Sequence, residues 1–179
     1  MARKKTLTLA TKITVLRILA IPLFIIALVE NQVLWARSIF VVCVLSDAVD
    51  GAIARFRGER TPLGTFLDPA ADKLLMVSTY ITLTYLGLIP AWAFITVLSR
   101  DLIILLGWSV VYILTGNAKV EPRLLGKITT VMQMATAVTR LFDLPAPVYH
   151  TVLHVMIALT IVSAFDYIWV GNKRLGAMD

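Results

Sequence analysis

Four aspartates recur at fixed spacing inside otherwise apolar sequence, in two consecutive motifs. The motifs read Asp47-x-x-Asp50-Gly51-x-x-Ala54-Arg55 and Gly64-x-x-x-Asp68-x-x-x-Asp72. One unpaired aspartate at the centre of a membrane helix costs roughly 2.5 to 3.5 kcal/mol. Four would cost on the order of 10 kcal/mol, comparable to the roughly 5 to 15 kcal/mol that stabilises a whole domain. The four carboxylates therefore need a cationic partner.

The spacing predicts two acidic helix faces that meet. Asp47 and Asp50 are three residues apart and Asp68 and Asp72 are four apart, which are the separations that share one face of a helix. The short connection between the motifs predicts antiparallel neighbouring helices, so the two pairs should converge. Carboxylate oxygens without nearby His or Cys favour a hard cation such as magnesium, manganese or calcium.

The small residues of the motifs predict an open cleft beside the acids. Gly51, Ala54 and Gly64 lie one helical turn from an aspartate and leave little side-chain bulk there. Arg55 adds a planar guanidinium that can hold phosphate oxygens through two hydrogen bonds. Acids, arginine and cleft together indicate a metal-assisted pyrophosphate site. For Gly51 or Gly64 taken alone, close helix packing is an equally good explanation. For a single aspartate, a structural ion pair is an alternative explanation.

The composition predicts an all-α integral membrane protein with one domain over residues 1–179. The chain is 59% hydrophobic and 16% charged, with a mean hydropathy of +0.84, which is too apolar for a soluble domain of this length. A bilayer core needs about 20 apolar residues per helix. Six such segments are predicted at residues 13–29, 35–55, 63–88, 91–114, 124–141 and 148–170.

The basic residues predict both orientation and partner. Most Lys and Arg fall in the ends and loops of one side, which the positive-inside rule assigns to the cytoplasm together with both termini. The acidic motifs then form a polar cleft in the cytoplasmic half of a multi-pass protein of the cell inner membrane. The net charge is +6, and the basic residues lie at the ends of apolar runs. This placement favours anionic lipid headgroups over nucleic acid as the partner.

The two motifs together resemble the complete signature of the CDP-alcohol phosphatidyltransferase family. Thr14, Arg17 and Pro22 also resemble the family's first helix, although Thr11 stands where asparagine is usual. The resemblance implies six membrane helices, a homodimer, and transfer of a phosphatidyl group from CDP-diacylglycerol to an alcohol with release of CMP.

The resemblance also implies roles for single residues. Asp47, Asp50, Asp68 and Asp72 would bind Mg²⁺ or Mn²⁺, with two ions per site, and Asp72 would be the general base on the acceptor hydroxyl. The CDP moiety would lie along Asp50, Gly51, Ala54, Arg55 and Gly64.

The acceptor alcohol is predicted from a second set of cations. Arg100 lies within the fourth apolar segment, and Arg123 and Lys127 lie at the start of the fifth. With Arg17 and Lys73 they suit an anionic acceptor, so glycerol 3-phosphate is expected and phosphatidylglycerophosphate is the product. An ion pair with Asp101 is the structural alternative for Arg100, and membrane anchoring is the alternative for Arg123.

The surrounding segments resemble two branches of the family. Ser99-Arg100-Asp101 and the segment from Gly126-Lys127 to Gln133 resemble the branch that uses glycerol 3-phosphate, and also the CAP-type cardiolipin-forming branch, whose acceptor is phosphatidylglycerol. The Ser99-Arg100-Asp101 triplet favours the cardiolipin-forming branch, whereas the compact chain and the Gly126-Lys127 segment favour the branch that uses glycerol 3-phosphate.

Two further classes are open, a divalent-cation transporter and a structural membrane scaffold. Buried acids also mark ion pathways, but transporters tend to place them at the midplane on repeated elements.

Overall fold

In the computed structural model, residues 9–57, 62–115 and 123–175 are described, with side chains for 11–47, 67–113 and 123–172. All regular structure in these residues is helical, which confirms the all-α prediction. The six helices are α1 (Leu9–Val29), α2 (Val33–Arg57), α3 (Pro62–Tyr85), α4 (Ala91–Thr115), α5 (Leu124–Leu141) and α6 (Ala146–Leu175). The chain forms two compact units, Met1–Thr82 and Leu83–Asp179.

Three helices end where the sequence predicts breaks, and each ends in the same way. Asn31, Gly87 and Asp143 have φ values of 58°, 72° and 50°, the left-handed region that glycine, asparagine and aspartate tolerate best. In each case the next amide donates back to a carbonyl five residues earlier, as Leu88 N–H does to Leu83 O at 2.8 Å. This Schellman arrangement satisfies the last carbonyls of α1, α3 and α5.

In the first unit, α1 packs along α2 and turns its polar side chains inward. Phe24 of α1 meets Phe40 of α2 with ring centroids 5.8 Å apart. Thr14 and Arg17 of α1 are buried, whereas Leu16 and Leu19 are 65% and 63% exposed. A soluble helix shows the reverse pattern, so the outer face of α1 is suited to lipid.

In the second unit, α6 packs against both α4 and α5. The contact faces mix apolar side chains such as Met156 with buried Thr129, Thr136 and Thr160. Each of these threonines donates to the carbonyl four residues earlier on its own helix, at 2.7 to 2.9 Å. These back-bonds satisfy the hydroxyl groups inside an apolar interface.

Three helices are long and apolar enough to cross a membrane by length and composition. The segments are Thr11–Val29, Ala91–Ile113 and Ala146–Asn172, with mean hydropathies of 2.3, 1.8 and 1.8. Six helices are therefore confirmed among the described residues, and three of them are long and apolar enough to cross a membrane. That all six span it stays a prediction. The charges of the two acidic motifs lie on α2 and α3.

Candidate active site

The first helix, α1, contributes two buried polar residues, Thr14 and Arg17, to the acidic site. Thr14 and Arg17 are three residues apart on α1, so they share one face. They are 0% and 2% exposed. A polar side chain buried on an apolar helix needs partners, and both find them among the motif aspartates.

Arg17 holds two aspartates from different helices through one nitrogen. Its Nη1 donates to Asp47 Oδ1 of α2 at 2.8 Å and to Asp72 Oδ1 of α3 at 2.9 Å. The two oxygens share one nitrogen, so they lie within about 6 Å of each other. The predicted convergence of the two motifs is confirmed for this pair.

Arg17 and its two aspartate partners differ in their exposure to solvent. The Arg17 side chain is fully buried, whereas those of Asp47 and Asp72 are 41% and 48% exposed. The guanidinium thus lies behind the carboxylates, which remain open to solvent. A cation or a substrate can therefore reach Asp47 and Asp72 from the side opposite Arg17.

Asp68 is fixed separately, by the other polar residue of α1. Thr14 Oγ1 donates to Asp68 Oδ1 at 2.7 Å. Asp68 and Asp72 lie one turn apart on α3, so α1 orients both acids of the second motif. The sequence pattern predicts none of these α1 contacts and groups Arg17 with the acceptor cations instead. The sequence signal for these contacts is the presence of Thr14 and Arg17 three residues apart, and so on one face, in a largely apolar segment.

The remaining motif residues lie outside the described side chains. Asp50, Gly51, Ala54 and Arg55 belong to α2, and Gly64 belongs to α3, by their backbone alone. Their predicted roles toward metal and CDP stay predictions.

The donor chemistry of the described acids suits a hard divalent cation. Asp47, Asp68 and Asp72 offer only oxygen, the donor that magnesium and manganese prefer. Within the part of the chain whose side chains are described, however, no three acidic, histidine or cysteine groups are close enough to hold an ion. Asp47 and Asp72 meet on Arg17, and Asp68 points to Thr14.

A second charged cluster lies in the other unit, around Arg100. Arg100 is 8% exposed. Its Nη1 donates to Asp101 Oδ1 at 2.9 Å and its Nη2 to Ser163 Oγ of α6 at 3.1 Å. Its guanidinium also lies 5.8 Å from the centroid of the Tyr167 ring. These contacts support the structural alternative for Arg100: its ion pair lies within α4, and its hydrogen bond to Ser163 ties α4 to α6.

Arg123 and Lys127 differ in what they offer a ligand. Arg123 precedes α5 and forms an ion pair with Asp166 of α6. Lys127 is exposed and forms no ion pair with a described side chain. Of the three predicted acceptor residues, only Lys127 therefore has a charge that no described carboxylate offsets. The part of all three in acceptor binding stays a prediction.

Gly126 allows the Arg100 cluster to close, which gives a stability prediction. A Cβ atom there would lie 3.1 Å from the Tyr167 hydroxyl and 3.2 Å from Arg100 Nη2. We expect Gly126→Val to lower the free energy of unfolding by about 1–3 kcal/mol, because overpacking displaces both side chains. Thermal unfolding in detergent measures the change. Gly107→Val is the control, since nothing lies within 4 Å of that position. Equal melting temperatures for the two variants would contradict the packing shown here.

Comparisons with known proteins agree with the signature. A family model described as CDP-alcohol phosphatidyltransferase matches residues 7–165. The chain is 32% identical to a probable phosphatidylglycerophosphate synthase of Mycobacterium tuberculosis, over 98% of this chain and 87% of that relative. It is 34% identical to the CDP-diacylglycerol–glycerol-3-phosphate 3-phosphatidyltransferase of Bacillus subtilis, over 89% and 92%. A probable cardiolipin synthase (CMP-forming) of Drosophila melanogaster is 32% identical, over 85% of this chain and 51% of that protein.

Proposed function

Because this chain belongs to the CDP-alcohol phosphatidyltransferase family, we propose that it transfers a phosphatidyl group from CDP-diacylglycerol to glycerol 3-phosphate. The products are phosphatidylglycerophosphate and CMP. The observation that carries the proposal is the meeting of Asp47 and Asp72, one from each motif, at a shared and solvent-open position. The names of the Mycobacterium and Bacillus relatives support glycerol 3-phosphate as acceptor.

The acidic residues are proposed to hold Mg²⁺ or Mn²⁺, with two ions per site. Asp47 and Asp50 of α2 and Asp68 and Asp72 of α3 would supply the oxygen ligands. Bound there, the ions would polarise the pyrophosphate of CDP-diacylglycerol and neutralise charge on departing CMP. The support from the structure is the all-oxygen donor set and the open side of Asp47 and Asp72.

Asp72 is proposed to take the proton of the attacking hydroxyl. Its carboxylate is about half exposed, so an acceptor hydroxyl can approach it, and Arg17 fixes its orientation through one oxygen. A carboxylate is a weak base, but fixing the hydroxyl in line with the phosphorus offsets that weakness. The glycerol hydroxyl forms the new O–P bond, the pyrophosphate O–P bond breaks, and its electrons leave with CMP.

The nucleotide is proposed to lie along the small residues of the motifs. Asp50, Gly51, Ala54 and Gly64 would border the CDP moiety, and Arg55 would contact its phosphates, as the family resemblance implies. Without side-chain bulk at these positions, the backbone can approach a flat ligand closely.

The membrane arrangement extends the same proposal. All six helices would span the cell inner membrane, with both termini and the polar cleft on the cytoplasmic side, as a homodimer. The charge bias of the loops supports this orientation. The outward apolar face of α1 supports contact with lipid along that helix.

The acceptor is tested by offering the two candidate alcohols in separate reactions. The similarity to a probable cardiolipin synthase favours phosphatidylglycerol as the second candidate acceptor. Purified protein is incubated with CDP-diacylglycerol, Mg²⁺ and either glycerol 3-phosphate or phosphatidylglycerol, and lipid products are separated by mass. We expect phosphatidylglycerophosphate from the first reaction and no cardiolipin from the second. Cardiolipin without phosphatidylglycerophosphate would reverse the assignment.

A further inference from the structure

Arg17 occupies the place where the acidic motifs meet, although the proposed function requires a divalent cation there. We infer that Arg17 and the divalent cation compete for the carboxylates of Asp47 and Asp72. Arg17 holds the metal-free site together and sets how tightly the metal binds. Arg17 is thus a positioning residue for the metal site. This inference rests on the proposed metal-dependent function.

The contacts of Arg17 show why the metal-free site needs it. Two carboxylates within about 6 Å of each other repel when no cation lies between them. The Arg17 nitrogen lies between them at 2.8 and 2.9 Å and bridges α2 to α3. The side chain is fully buried, so water screens its charge only weakly. The guanidinium therefore replaces the metal as the counter-ion that keeps the two helices paired.

The same geometry predicts antagonism toward a metal. A magnesium ion binds carboxylate oxygen at about 2.0–2.1 Å in a strict octahedral arrangement. The carboxylate oxygen that accepts from Arg17 has its electron density directed at the guanidinium. A cation at the other oxygen of the same carboxylate would lie only a few ångströms from the buried charge of Arg17. Repulsion between the two cations lowers metal affinity whichever carboxylate oxygen the ion uses.

The direction of the described motif carboxylates agrees with this competition. Asp47 and Asp72 bond to Arg17, and Asp68 bonds to Thr14. These three motif carboxylates are thus all directed toward α1. Metal loading would turn them away from α1 and toward one another.

The test is the sign of the change in metal affinity, measured without substrate. Mn²⁺ binding to purified protein in detergent is followed by the electron paramagnetic resonance signal of free Mn²⁺. We expect Arg17→Gln to bind Mn²⁺ about tenfold more tightly, a coupling within the range typical between two binding events. Arg17→Lys retains the charge and should stay within about threefold of the unmodified protein. A residue that only supported the fold would weaken binding when replaced.

Arg37→Gln is the matched control. It removes the same charge from α2, ten residues before Asp47 and so about 15 Å along the helix, and should leave Mn²⁺ affinity unchanged. Tighter binding by Arg17→Gln alone supports the inference. Equal or weaker binding by Arg17→Gln overturns it.

A second measurement is used if Arg17→Gln unfolds in the absence of metal. Arg17→Gln is then purified with Mn²⁺, and the rate of ion release is measured after addition of a chelator. Slower release than from the unmodified protein supports competition, and equal or faster release overturns it. If the unmodified protein itself binds no Mn²⁺, the proposed metal site fails and this inference fails with it. Mn²⁺ binding that Arg17→Gln does not tighten overturns the inference alone.

Discussion

Replacing Asp72 by asparagine is expected to reduce turnover by at least about a thousandfold, within the range of general-base contributions. The amide cannot accept the hydroxyl proton, and it is a poorer metal ligand than a carboxylate. It still has an oxygen that can accept from Arg17, so the contact between α1 and α3 need not be lost. Release of CMP from CDP-diacylglycerol and glycerol 3-phosphate measures the effect.

The control and a binding measurement separate chemistry from folding. Asp143→Asn makes the same isosteric change at the end of α5, where a left-handed residue is required and asparagine serves as well. We expect its turnover to stay unchanged. Asp72→Asn should still bind some CDP-diacylglycerol, detected as a rise in melting temperature. Unaltered turnover in Asp72→Asn would remove this residue from the mechanism.

Removal of divalent cations is expected to abolish both turnover and stabilisation by CDP. The motif carboxylates Asp47, Asp68 and Asp72 would repel an anionic nucleotide, and a bound divalent cation would offset that repulsion, so we expect CDP to bind only with metal. With Mg²⁺ present and CDP at a hundred times its dissociation constant, binding should stabilise the protein by about 2.7 kcal/mol. Thermal unfolding with and without EDTA measures the difference.

Adding single divalent cations back after chelation identifies the ion that the protein uses. Adding Mg²⁺ or Mn²⁺ after chelation should return both CMP release and the CDP-dependent rise in melting temperature. Full turnover in EDTA would exclude the metal-assisted mechanism. A cation transporter or a membrane scaffold predicts no stabilisation by CDP under any of these conditions.

The local features of the fold could be predicted from sequence because they depend on local chemistry. The ends predicted at residues 29, 88 and 141 are confirmed to within three residues, and Asn31, Gly87 and Asp143 adopt the left-handed backbone that follows each helix. The end of α6 is less well predicted. The last apolar segment was expected to end at residue 170, but α6 runs to Leu175, because charged residues can continue a helix beyond its apolar stretch.

The partners of Arg17 could not be predicted, because they depend on packing between distant segments. Arg17 lies 30 residues before Asp47 and 55 before Asp72, and no short-range pattern connects them. The sequence groups Arg17 and Arg100 together as cations of an acceptor pocket. In the structure Arg17 pairs with two motif acids. Arg100 pairs with its neighbour Asp101, which was the structural alternative from the sequence, and its bond to Ser163 of α6 was not predicted.

Pro69 lies inside α3, directly after Asp68 and one turn before the end of the second motif. A proline has no amide hydrogen, so the helix lacks the bond that would link residue 69 to the carbonyl of residue 65. The backbone beside Asp68 can therefore bend without breaking a hydrogen bond that α3 would otherwise have had to give up. If metal loading turns Asp68 away from Thr14, as inferred above, Pro69 lets α3 follow that turn without the loss of a backbone hydrogen bond.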